Sequence, residues 1–227
     1  MDYVIKPPAQ ASVAVDGSSA RFPVRRIFCV GRNYASHARE MGKDPDREPP
    51  FFFTKPADAV CDSGSELAYP PLTSDLHHEV ELVVAIGSEA VDLPAENALS
   101  AVWGYGVGID LTRRDLQKVA KDMGRPWDWA KSFDMSAPCG PLRPVERGHI
   151  IGGRIALNVN DETRQQADIS DLIWSVPEVI AQCSASVKLM PGDLIFTGTP
   201  AGVASLSRND RLVGSIEGLR DIEVVIR

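Results

Sequence analysis

Short apolar stretches separated by Gly- and Pro-containing turns run along the whole chain, and few segments carry helical periodicity. ASVAV and ARFPV flank Asp16-Gly17, which predicts a hairpin because Asp-Gly supplies the positive φ of a tight turn. RIFCVG reads as a buried strand that runs into a loop and a short helix around NYASHAREM, and PPFFFTKP reads as a strand bracketed by prolines. EVELVVAIG alternates at first and then becomes continuously apolar, the pattern of a half-buried strand entering a core. AVWGYGVGIDL places glycine at every second position from Gly104 to Gly108, which marks close backbone approach or a bend. RIALNVNDETRQ predicts a second hairpin, turning at Asn160-Asp161. DLIWSVPEVIAQCSASV is the best amphipathic helix, with Pro177 near its first turn, and DLIFTG and IEVVIR close the chain as strands.

The pattern is that of one β-rich α+β domain, with residues 1–20 an N-terminal arm or hairpin and REMGKDPDREPP a charged surface loop. Composition narrows the partners. Lys and Arg number 24 against 31 Asp and Glu, a net charge of −7, and the basic residues are scattered rather than striped. That distribution argues against nucleic acid and against anionic membranes. The cysteines, Cys29, Cys61, Cys139 and Cys183, are far apart and form no CxxC pair, as expected of reduced thiols. MDYVIKPPAQ has no signal-peptide core, and no apolar run approaches the ~20 residues of a membrane span. A cytoplasmic protein is expected.

Candidate chemistry gathers around acidic residues. Glu79 and Glu81 are two apart in a predicted strand, so they share a face with Cα atoms about 6–7 Å apart. Asp110, after the glycine-rich strand, can supply a third oxygen. Three carboxylates with no cysteine or histidine set suit Mg²⁺ or Mn²⁺ rather than zinc. The alternative is a solvated face, although the strand that follows is too apolar to make that comfortable. His37 and Glu40 are three apart in a predicted helix, so the carboxylate can orient the ring as a general base, or the two simply pair on the surface. Lys131, in WAKSFD, is flanked by Trp127, Trp129 and Phe133. A lysine so placed either polarises a carbonyl or enolate oxygen or snorkels to solvent. FTGTPAG offers backbone N–H groups and the Thr199 hydroxyl to an anion, yet lacks the Gly-Lys-Ser/Thr ending of a P-loop.

These motifs stand in one order. CVGRNYASHAREM, FFFTKP, HHEVELVVAIG, GYGVGIDLTRRDLQ, WAKSFD, VNDETRQ and PGDLIFTGTPAGV together resemble the fumarylacetoacetate hydrolase family from about Arg26 to Val203. GRPWDWAKSFDMSAPCGP looks most like its fumarylpyruvate hydrolases and related acylpyruvases. The resemblance implies a mixed β-sandwich roll, with residues 21–227 as the catalytic domain, assembled as a homodimer. It implies Glu79, Glu81 and Asp110 as ligands of Mg²⁺ or Mn²⁺, and His37 with Glu40 as the water-activating pair. It also implies Lys131, Gln117 and Arg114 as contacts to a small keto acid or its developing oxyanion, Thr199 as the hydroxyl of a carboxylate-holding loop, and Lys55 as a basic residue nearby. Arg208-Asn209-Asp210 departs from the family's second Gly-Asp turn, but Asn tolerates the left-handed region and the turn should survive.

The activity so implied is metal-dependent hydrolysis of a C–C bond in an acylpyruvate, such as fumarylpyruvate to fumarate and pyruvate. Decarboxylation or isomerisation of a keto diacid is the alternative within the family, and a non-catalytic metal- or ligand-binding β-domain the alternative outside it. A fumaryl tail ends in a second carboxylate, for which Arg32, Arg113 and Arg125 are all candidates.

Overall fold

The computed structural model of the chain describes residues 2–35 and 48–227. Strands β1 (Ser12–Ala14), β2 (Arg21–Pro23), β3 (Arg26–Gly31), β4 (Phe51–Lys55), β5 (Val60–Asp62) and β6 (Glu66–Leu67) come first. β7 (Leu76–His77), β8 (Val80–Ile86), β9 (Val102–Ile109), β10 (Thr112–Arg113), β11 (Ala137–Cys139) and β12 (Arg143–Pro144) follow. β13 (Arg154–Val159), β14 (Glu162–Asp168), β15 (Asp193–Phe196), β16 (Arg211–Ile216) and β17 (Ile222–Ile226) end the series. Among the described residues, the helices are α1 (Arg114–Asp122), α2 (Asp128–Lys131) and α3 (Val176–Ser186).

Among the described residues, one sheet has the order β4-β3-β15-β8-β9-β11-β5, with β12 also on β9, and a second has the order β14-β13-β16-β17-β6. The two pack face to face. Val80, Leu82 and Val84 of β8 and Tyr105, Val107 and Ile109 of β9 share a buried cluster with Ile155, Leu157, Leu212 and Val224 of the other sheet. This is the β-rich mixed architecture the sequence pattern predicts. No helix among the described residues is long and apolar enough to cross a membrane.

Strand β8 departs from its half-buried expectation, because all seven of its residues are buried. Its second face carries a core of its own. Val83 and Ala85 pack there with Ile27, Cys29, Leu194 and Phe196, and with Val13 and Phe22 of the N-terminal hairpin. Residues 11–16 therefore lie against the sheet: Val13 is fully buried, and Asp16 N donates to Leu142 O at 2.8 Å. The hairpins turn where expected, with φ of 50° at Asn160, 66° at Asp161 and 73° at Asn209 in the C-terminal turn. The best amphipathic helix starts later than its sequence pattern. A single 3-10 turn at Ile169–Asp171 precedes α3, which Ser175 and Glu178 close with a capping box. All four cysteines are free, with Cys61 half-buried and the others buried.

The alternating glycines of β9 face this second core. A Cβ on Gly108 would stand 2.5 Å from both Phe196 Cε1 and Val83 Cγ2, two side chains with nowhere to retreat. Gly108→Ala should destabilise the protein by about 1–3 kcal/mol, the usual cost of overpacking, read as a lowered urea midpoint at unchanged slope. An unchanged midpoint would show that this face is less tightly packed than the geometry requires.

Candidate active site

The pairing of β8 with β9 builds the floor of the site. Their antiparallel register sets Val80 opposite Ile109 and Glu81 opposite Gly108, and one step further Asp110 N donates to Glu79 O at 2.8 Å. Odd residues of β8 and even residues of β9 share a face by strand alternation, so Glu79, Glu81 and Asp110 meet there. Glu79 sits just before the first residue of β8 rather than within it. One carboxylate oxygen of each lies within 4.8 Å of the other two, and all three residues are buried.

Three buried carboxylates need nearby positive charge. Lys131, at the end of α2 and 2% exposed, places Nζ 2.8 Å from Glu79 Oε2 and 2.6 Å from Asp110 Oδ2, with its ammonium 4.9 Å from the centre of the Phe53 ring. The snorkelling alternative is thereby excluded. Lys55, at the end of β4, stands 2.8 Å from Asp110 Oδ1 and donates to Leu111 O at 3.1 Å. Arg114 opens α1 and donates from Nη2 to Glu79 Oε1 and from Nη1 to Gln117 Oε1, each at 2.5 Å. Burial would depress the Lys131 ammonium, but Asp110 and Glu79 together hold it above the ordinary lysine value. Burial, followed by the neighbouring Asp110 and Glu79, pushes Glu81 well above the usual carboxylate range.

The Gly198 loop completes the floor. Gly198 N donates to Glu81 Oε2 at 2.8 Å, so this N–H braces a carboxylate of the cluster itself. The loop needs glycine there, since φ is 100° and a Cβ would come within 2.7 Å of Asn33 Cβ. Asn33 pins the same turn by donating to Thr197 O at 2.8 Å. Thr199 lines the pocket above the carboxylates together with Gln117, Arg114 and Lys131.

Of the sequence-derived candidates, Glu79, Glu81, Asp110, Lys131, Lys55, Arg114, Gln117 and Thr199 converge on this one pocket or its floor. His37 and Glu40 lie outside the described residues. Arg32 lines the pocket, with φ of 61°. Arg113 instead donates to Trp129 O at 3.2 Å and stacks 4.4 Å from the Phe133 ring, and Arg125 lines a neighbouring groove. Lys121 and Phe53 also line the pocket and were not singled out in the sequence, and Trp127, named there only as a neighbour of Lys131, lines it too. The helical spacing of Arg114, Gln117 and Lys121 would have found Lys121, had α1 been recognised as a helix.

The donor set fits a hard divalent cation. It consists only of oxygens, the three residues lie in or next to the adjacent strands β8 and β9, and Asp110 Oδ1 has no hydrogen-bond partner despite its ion pair with Lys55. Fold and site together define a β-sandwich protein with an acidic, lysine-bridged pocket suited to metal-assisted chemistry on a small anion. Residues 26–227 match the family model described as fumarylacetoacetate (FAA) hydrolase, C-terminal, and the chain belongs to that family. It is 42% identical to the fumarylpyruvate hydrolase of a Ralstonia species over 82% of this chain and 98% of that protein. It is 40% identical to an oxaloacetate tautomerase of Escherichia coli over 89% and 93% of the two chains. The crystal structure of Pseudomonas aeruginosa fumarylpyruvate hydrolase with Mn²⁺ and pyruvate superposes with a TM-score of 0.97, at 53% identity over 99% of each chain.

A carboxyl held above its unfolded value costs stability as pH climbs from the ordinary carboxylate range through the raised value. It must also lose its proton to ligate a cation. Mn²⁺ titrated into the metal-free protein near neutral pH should therefore release protons and bind more tightly as pH rises, by up to about tenfold per pH unit for each proton displaced. Calorimetry in buffers of differing ionisation enthalpy measures the exchange. Proton uptake would contradict the arrangement of charges described for Glu81.

Proposed function

We propose that the protein hydrolyses an acylpyruvate, with fumarylpyruvate, giving fumarate and pyruvate, as the best-supported substrate. The observation that carries this reading is the carboxylate trio bridged by buried Lys131 on the floor of a pocket ringed by Arg114, Gln117, Thr199 and Arg32. The near-complete likeness to a fumarylpyruvate hydrolase that binds Mn²⁺ and pyruvate supports it. Glu79, Glu81 and Asp110 would hold Mg²⁺ or Mn²⁺, which when bound supplies a Lewis acid to the 2-oxo carboxylate end of the substrate.

The chain's own residues supply the rest. His37, oriented by Glu40, takes a proton from water, whose oxygen attacks the acyl carbonyl. The bond between that carbon and the methylene then breaks, and its electron pair passes to the pyruvoyl fragment as an enolate. Lys131 Nζ is the donor aimed at that developing charge, a role commonly worth about 3–4 kcal/mol of barrier. Protonation of the methylene carbon completes pyruvate. Thr199, Gln117 and Arg114 hold the pyruvoyl carboxylate and oxo group. Of Arg32, Arg113 and Arg125, Arg32 lines this pocket, and we assign it to the distal carboxylate of the fumaryl tail; Arg113 is occupied by Trp129 and Phe133.

The relative named oxaloacetate tautomerase supports a second reading. Tautomerisation uses the same enolate-stabilising floor without an attacking water. An ultraviolet assay of metal-free protein with Mg²⁺ or Mn²⁺ added back, against fumarylpyruvate, acetylpyruvate and oxaloacetate, separates the two. Metal-dependent loss of enol absorbance with equimolar pyruvate and fumarate is expected. Interconversion of oxaloacetate tautomers alone would move the protein to the second reading. Glu81→Gln should lose metal-dependent turnover while staying folded. His37→Ala should lose hydrolysis while keeping Mn²⁺ and oxalate binding.

A further inference from the structure

Behind the pocket wall, Gln165 of β14 is 1% exposed and makes contacts that admit one arrangement of protons. Its Oε1 lies 3.1 Å from Val80 N, which can only donate, and its Nε2 lies 2.8 Å from Pro200 O, which can only accept. Those two neighbours fix which way the amide points. Oε1 also lies 2.9 Å from His78 Nδ1, so Nδ1 carries the proton. His78 Nε2 agrees, having no hydrogen-bond partner among the described residues, as suits a bare lone pair better than a stranded N–H. Nε2 of Gln165 donates to Thr199 Oγ1 at 2.8 Å, so the hydroxyl is the acceptor in that bond. Its single hydrogen is left for another acceptor, and Thr199 lines the pocket beside Glu81 and Lys131.

We propose that His78 and Gln165 are positioning residues that make the Thr199 hydroxyl an obligate donor to an anionic oxygen in the pocket. This rests on the acylpyruvate reading, in which that oxygen belongs to the substrate's 2-oxo carboxylate. The relay also sets distance. Gln165 belongs to the five-stranded sheet, yet it bonds Val80 at the start of β8 and Pro200 in the loop after β15, so one amide ties the carboxylate-bearing strand to the hydroxyl-bearing loop. A hydroxyl free to accept would also welcome a group that can only donate, such as an ammonium. One committed to donating requires an acceptor oxygen, and an oxyanion is the strongest of these.

The test is pyruvate binding in the presence of saturating Mn²⁺, by calorimetry, to Gln165→Met, Thr199→Val and the double variant. Gln165→Met and Thr199→Val should each weaken pyruvate about ten- to hundredfold, the range for a hydrogen bond to a charged group, with Mn²⁺ affinity unchanged. The double variant should be no weaker than Thr199→Val alone. Additive losses would overturn the relay, because a purely structural Gln165 would act independently of the hydroxyl. His78→Asn keeps a donor near the position of Nδ1 and should bind pyruvate nearly as the parent does, whereas His78→Leu should not. Equal losses in those two variants would also overturn it, and both retain Gln165 should the methionine variant fail to fold. Absence of pyruvate binding by the parent protein would instead count against the acylpyruvate reading and remove the ligand this inference needs.

Discussion

The register between β8 and β9 is the constraint on which the site depends. It gathers three carboxylates on a buried face where mutual repulsion and lost hydration both oppose them. The fold tolerates the cluster because β8 is anchored by apolar packing on both faces, and because Lys131, Lys55 and Arg114 arrive from three other elements to offset the charge. Slipping the pairing by one residue would turn Glu81 toward the sandwich core and Leu82 into the pocket. The tight fit of Gly108 against Phe196 and Val83 opposes that slip, so the glycine spacing of β9 and the acidic spacing of β8 serve one geometry.

Most of the longer strands, though not β16, the hairpin turns and the carboxylate trio were legible in the sequence because each rests on local rules: alternation, turn chemistry and residue type. The full burial of β8 was not legible, since it depends on the N-terminal hairpin covering the second face, a contact between segments far apart in the chain. Helix α1 was missed for a different reason. It buries Gln117 and leaves Val119 exposed, so its polar face looks inward, and a search for an apolar stripe passes over it. That inversion turns Arg114, Gln117 and Lys121 toward the pocket. A rule that helices bury apolar residues fails where the interior they face is an acidic site.

Lys131 and Lys55 make a similar point. From residue type alone Lys131 had an ordinary alternative in solvent, and its convergence with Lys55 on Asp110, from α2 and β4, removes it. Gln165 and His78 lie in the motifs VNDETRQ and HHEVELVVAIG, but nothing in the sequence singled either residue out. Their importance follows from which atoms can donate and which can accept at one amide, and that requires coordinates.

Relatives at about the same identity carry the names of a hydrolase and a tautomerase, and the architecture explains how one fold serves both. On the proposed reading, a floor of three carboxylates, a buried lysine and a donating hydroxyl would stabilise an enolate whichever bond change produces it, so the floor would define the class of intermediate and not the reaction. Hydrolysis requires in addition a base that can activate water on the acyl side, away from the floor. On the proposed reading the trio is held for a cation, each member already engaged by a lysine, an arginine or a backbone N–H, which leaves the base to be supplied from elsewhere. The choice between the two outcomes therefore falls to groups outside the cluster. In this chain His37 and Glu40 are the sequence's candidates, and they weight the reading toward hydrolysis.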